Sequence, residues 1–170
     1  MGEAIHLSHA ERVTLIQSAR KTLDELDLVH MPVIAGTGAG STRETLELSK
    51  EAAGAGADYV LVIASGYFAS ALAANREALK SYWTEVAQKS PVPVMIYNCE
   101  VVFSSNRTAI SSYAIDPGAS GGIDLDSDII TDLAKECPNI CGVKLTYVPT
   151  LCLPLYLNKR PLVVAGMWAN

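Results

Sequence analysis

A chain of 170 residues is long enough to bury a core of its own, and nothing in its composition calls for more than one domain. Its 18 acidic residues outnumber 13 scattered lysines and arginines, and the net charge of -5 argues against a nucleic-acid or anionic-membrane partner. No apolar stretch approaches the roughly 20 residues of a membrane span, and Met1-Gly2-Glu3-Ala4 has no basic segment ahead of an apolar run, so neither a span nor a secretory signal is expected.

In chain order, Ser8 to about Leu28 has helical spacing, with Ser8 and Glu11 set as a capping box and Val13, Ile16, Ala19 and Leu23 as the apolar stripe. Pro32 to Thr37 reads as a buried strand and Gly36-Thr37-Gly38-Ala39-Gly40 as a tight loop. Ser41 or Thr42 caps the next helix, which carries Glu44 in its first turn and stops at Gly54 or Gly56. Tyr59 to Ala64 is the next strand, and Ala74 to about Gln88 is helical. Val94 to Tyr97 is a third strand, Ser127 to Glu136 a helix, Ile140 to Leu145 a fourth strand, and Pro161 to Ala165 a candidate fifth. Strands that are apolar throughout and alternate with helices predict an α/β fold with a parallel sheet under helices. A barrel and an open doubly wound sheet both fit. In either, sites lie at strand C-terminal ends, where this chain places Thr37, Ser65 to Tyr67, Tyr97 and Lys144.

Cys99, Cys137, Cys141 and Cys152 do not form a disulfide framework in a chain of this size, and no second Cys/His pair accompanies Cys137 and Cys141 at zinc spacing. They read as reduced thiols of a cytoplasmic protein with no metal site. The glycine loop suits a nucleotide poorly. Ser41 stands where the dinucleotide fingerprint needs its third glycine, and the strand ending Ile63-Ala64-Ser65 lacks the acidic residue, so no nucleotide cofactor is expected.

Lys144 is the chemically telling residue. It stands in the apolar run Ile140-Cys141-Gly142-Val143-Lys144-Leu145, where burying an unpaired ammonium is costly. Taken alone, it reads as an edge-strand lysine whose head reaches water. Tyr97 alone reads as a core aromatic, and Tyr67 alone as surface. Together at one rim, a lysine and two tyrosines suggest an amine nucleophile with a proton shuttle.

Four segments carry a resemblance. Gly2-Glu3 followed by His6-Leu7-Ser8-His9-Ala10-Glu11-Arg12, then Val33 to Thr42, then Val94-Met95-Ile96-Tyr97-Asn98, and finally Gly142-Val143-Lys144 are together similar to the dihydrodipicolinate synthase and N-acetylneuraminate lyase superfamily. The resemblance runs from Gly2 to about Thr146 with one interruption. It implies a (β/α)₈ barrel and a class I aldolase or lyase acting on pyruvate or other 2-oxo acids without a cofactor. Lys144 would form the Schiff base and Tyr97 would carry the proton. Tyr67, Gly142 and the position held by Ala119 would contact substrate, and intact members would be homo-oligomers, dimers or tetramers. Ala119 stands where the synthase has an arginine for a second carboxylate, which argues against lysine biosynthesis. Ser65-Gly66-Tyr67-Phe68 looks more like 4-hydroxy-2-oxoglutarate aldolases and fungal 2-keto-3-deoxy-L-galactonate aldolases. The products would be pyruvate and an aldehyde.

The sequence also departs from that pattern. The family begins with two strands and a Gly-Thr-Thr-Gly-Glu motif, and this chain starts at the final Gly-Glu. The expected fold is therefore an incomplete barrel over residues 1–170, lacking the first two strands and a C-terminal part. Such a chain would leave parallel edges unpaired and lose activity. Residues 99–116 have no counterpart in the family. Reverse translation of Cys99-Glu100-Val101 accommodates a GTGAG splice donor and Ile115-Asp116 an AG acceptor, and joining them restores one tyrosine codon before Pro117-Gly118. That segment reads as a translated intron. The alternative is a true insertion, which such rims tolerate. Residues 147–170 form a divergent tail.

Overall fold

Helix starts follow from side chains that can satisfy the first free amides. In the computed structural model, which describes residues 4–67, 69–98, 123, 125–145 and 163–166, Ser8 caps α1 (His9–Glu25) through a reciprocal box with Glu11. Ser41 caps α2 (Thr42–Gly54), Asn75 caps α4 (Arg76–Lys89) and Asp126 caps α5 (Ser127–Glu136), each accepting from an amide in the first turn. A short helix not anticipated in the sequence, α3 (Ala69–Ala73), precedes α4, so the predicted start at Ala74 falls between two helices. The first helix also ends earlier than predicted. Asp27 takes a left-handed conformation (φ 57°), and the Leu28 amide donates back to the Leu23 carbonyl at 2.8 Å, which turns the chain out of the helix.

The strands are β1 (Ile34–Gly36), β2 (Tyr59–Ile63), β3 (Val94–Asn98), β4 (Ile140–Leu145) and β5 (Val163–Gly166). All pair parallel in the order β1-β2-β3-β4-β5. That order decides between the two architectures left open by the sequence. A doubly wound sheet reverses its strand order at a switch point, whereas strands added one after another on the same edge build a (β/α) barrel wall. The five strands are an arc of that wall.

The core lies between this arc and its helices. Val60, Val62, Val94, Ile96 and Val143 point to the helical side and are fully buried against Trp83, Val86, Ile130 and Leu133 of α4 and α5. On the other side of the sheet, Ile34 is 47% exposed, and Leu61, Ile63, Tyr97 and Lys144 are half-buried. One irregularity sets which side β4 presents. Val94 pairs with Ile140 but Met95 pairs with Gly142, so Cys141 is an extra residue in the ladder. The bulge turns Ile140, Val143 and Leu145 toward the helices and Gly142 and Lys144 away from them.

Candidate active site

The site is built by register. Ile63 pairs with Tyr97, Tyr97 with Lys144, and Lys144 with Ala165, one continuous row across four strands near their C-terminal ends. Lys144 Nζ sits 3.8 Å from the centroid of the Tyr97 ring. An ammonium over a ring face is attracted by the ring quadrupole, which helps to hold the nitrogen in place. Lys144 is half-buried, with β3 on one side and β5 on the other, so it is not the edge-strand lysine that its sequence alone suggests. Gly142 lies one interior position earlier on the same strand, in register with Met95, and contributes no side chain beneath the lysine.

The remaining rim residues separate by role. Thr37 is buried and turned toward α2, where its hydroxyl pairs with Ser49 Oγ at 3.0 Å. It therefore supports the loop and faces away from Lys144. Ser65 donates to the Gly40 carbonyl at 2.9 Å, and Tyr82 of α4 donates to the Ile63 carbonyl at 3.2 Å, tying the loops after β1 and β2 together. Gly38 permits this closeness, since a Cβ there would stand 2.6 Å from the Ile63 amide nitrogen. Tyr67 is on the rim after β2 and 86% exposed. Ala119 lies outside the described residues.

Sequence reasoning passed over Asn98. It follows Tyr97 directly, is 5% exposed, and holds Leu125 by both backbone groups. Its Nδ2 donates to the Leu125 carbonyl at 3.1 Å, and its Oδ1 accepts from the Leu125 amide at 3.0 Å. A buried asparagine at a strand end, next to a candidate acid–base group, was the available signal.

Other nucleophiles near the row are quiet. Burial pushes the Cys141 thiol up, and its Sγ faces the Val94 carbonyl at 3.5 Å, so it remains a thiol. Among the described residues no group of His, Cys, Asp and Glu is placed to hold a metal ion. Away from the row, His9 of α1 reaches Glu44 at 2.9 Å and Glu51 at 3.0 Å on α2. Its pKa is raised, chiefly by the bond to Glu51 and then by that to Glu44.

A lysine amine stacked on a tyrosine at the C-terminal rim of a sequentially ordered parallel β/α wall defines a barrel protein with an amine site. The dihydrodipicolinate synthetase family model matches residues 1–111, and the chain belongs to that family. It is 45% identical over 145 residues to a protein of Emericella nidulans named as a mitochondrial 4-hydroxy-2-oxoglutarate aldolase, covering 85% of this chain and 40% of that one. It is 40% identical over 149 residues to an L-threo-3-deoxy-hexylosonate aldolase of Aspergillus niger, covering 88% and 39%. Among solved structures, a dihydrodipicolinate synthase family protein from Coccidioides immitis superposes with a TM-score of 0.73 at 36% identity over 96% of this chain and 45% of that one. A dihydrodipicolinate synthase from Acinetobacter baumannii, solved in complex with pyruvate, gives 0.71 at 31% identity over 97% and 48%. The chain thus spans about 40% of the length of the curated relatives it matches.

Proposed function

We propose that this chain carries the imine-forming part of a class I aldolase that cleaves a 2-keto-3-deoxy sugar acid or a 4-hydroxy-2-oxo acid to pyruvate and an aldehyde. The observation that carries the reading is Lys144 Nζ above the Tyr97 ring in registered neighbouring strands. The neutral amine adds to the 2-keto carbon, water leaves, and the resulting iminium draws electrons from the C3–C4 bond. Tyr97 in its phenolate form takes the proton from the C4 hydroxyl as that bond breaks and the aldehyde departs, and the phenol so formed holds that proton for return to the enamine. The enamine left on Lys144 is protonated at C3, and hydrolysis frees pyruvate and the amine. Relatives named as 4-hydroxy-2-oxoglutarate and hexylosonate aldolases support the substrate class, and Ala119 in place of the synthase's arginine speaks against the synthase reaction.

We assign turnover to a polypeptide that also supplies the family's first two strands and their threonine pair. The same resemblance supports a small 2-oxo acid substrate and, for intact members, a homo-oligomer. We further propose that residues 99–116 are a translated intron. Cys137 and Cys141 are free thiols, which supports a reducing compartment, and the cytoplasm is our proposed location. The test of the chemistry is borohydride reduction in the presence of pyruvate. The peptide carrying Lys144 should gain the mass of the reduced adduct. Active enzyme labelled at another lysine, or at none, would remove Lys144 from the mechanism.

A further inference from the structure

We propose that Asn98 is a positioning residue that sets the Tyr97 ring against Lys144 by gripping the Leu125 backbone. The carboxamide acts as a surrogate strand partner. It offers one donor and one acceptor in a plane, and Leu125 returns one acceptor and one donor, at 3.1 and 3.0 Å. The grip is dry, since Asn98, Ile123 and Leu125 are all buried. It is also anchored beyond itself. Asp126, the next residue, caps α5 by accepting from the Ile129 amide at 2.8 Å and accepts from Arg76 at 2.7 Å at the start of α4. The end of β3 is thereby locked to the starts of two helices. Tyr97 lies between this lock and its register partner Lys144, so its ring has little freedom to drift.

The inference rests on the aldolase reading for its functional meaning but is testable without it. The variants are Asn98→Ala, which removes both bonds, and Asn98→Asp. An aspartate keeps the acceptor, but its second oxygen opposes the Leu125 carbonyl until the carboxyl is protonated, when it donates as the amide did. Burial raises the pKa of such a carboxyl, so the aspartate variant regains the grip as the pH falls and the alanine variant does not. The readout is the ring-current shift on the lysine methyl signals of the full chain after reductive ¹³C-methylation, with Lys144 assigned by Lys144→Arg. The wild-type signal should be displaced upfield by the Tyr97 ring. Asn98→Ala should lose the displacement at every pH, and Asn98→Asp should lose it at neutral pH and recover it in acid. In parallel, pyruvate turnover in the barrel-complete polypeptide should fall on the order of 10²-fold for a displacement of about 1 Å, with acid rescue in the aspartate variant alone. An unchanged shift in Asn98→Ala, or no acid rescue in Asn98→Asp, overturns the positioning role. If the shifts behave as expected and pyruvate never labels Lys144, the grip stands and the aldolase reading falls.

Discussion

The two sides of the sheet are made of the same strands and have opposite physics. On the helical side, Val62, Ile96 and Val143 are aligned across three strands and wholly buried, and their value is contact area and displaced water. On the other side, the row Ile63, Tyr97 and Lys144 is half-buried and mixes apolar, phenolic and cationic groups. The first side holds the fold, and its sheet residues are apolar. The second sets an amine beside a phenol, the pair on which the proposed chemistry rests. The core and the candidate site are thus built from neighbouring residues whose side chains point in opposite directions.

The comparison predicts that each side can be damaged without the other. Lys144→Met should abolish borohydride-trapped pyruvate completely while leaving the thermal midpoint at or slightly above wild type, because it removes a half-buried charge and keeps the stem volume. A large loss of stability would mean that Lys144 belongs to the fold. Tyr97→Phe should lower kcat on the order of 10²- to 10⁴-fold and still allow the pyruvate adduct to form, since the ring beneath the nitrogen remains. Unchanged kcat in the barrel-complete enzyme would take the phenol out of proton transfer.

The reverse pair tests the other side. Ile96→Ala should cost roughly 2 to 5 kcal/mol of unfolding free energy by leaving a cavity at a fully buried position. Ile34→Thr, on the opposite side and 47% exposed, should change stability by no more than about 0.5 kcal/mol. Equal costs in denaturant titrations would erase the distinction.

The smallest effect lies outside the sheet. Both nitrogens of His9 face carboxylates of α2, so the bridge is complete only in the doubly protonated ring. The folded-state pKa is raised above the ordinary 6.5, so its contribution is full below that value and is lost as the pH rises through the raised pKa. The stability difference between wild type and His9→Gln should therefore be larger in mild acid than in alkaline buffer. A difference that grows with pH would contradict the bridge.

Much of the site was legible in order and type. That Lys144 and Tyr97 meet at one rim was legible because each stands at or near the end of an apolar run, and a polar group in a buried strand needs a reason. Thr37 matched the same pattern and was misread, since its hydroxyl serves Ser49 in the helical layer. Asn98 escaped notice because its partner, Leu125, is 27 positions away and offers only backbone, which leaves no mark in sequence. The short α3 was missed for want of a capping signal.

What the sequence by itself determined was the parallel β/α class, the cap at Ser8, a second cap at Ser41 or Thr42, and the candidate pair at two strand ends. These depend on local spacing and side-chain chemistry, which a chain carries before it folds. Tertiary structure decided the strand order, hence barrel over open sheet, because order is a property of which edges meet. It also decided the direction of Lys144. Ile140 and Lys144 are four residues apart and by strand alternation would share a face, yet the extra residue at Cys141 puts Ile140 among the helices and Lys144 beside Tyr97. A bulge exists only relative to the neighbouring strand, so it took the pairing of β4 with β3 to turn the lysine toward the tyrosine.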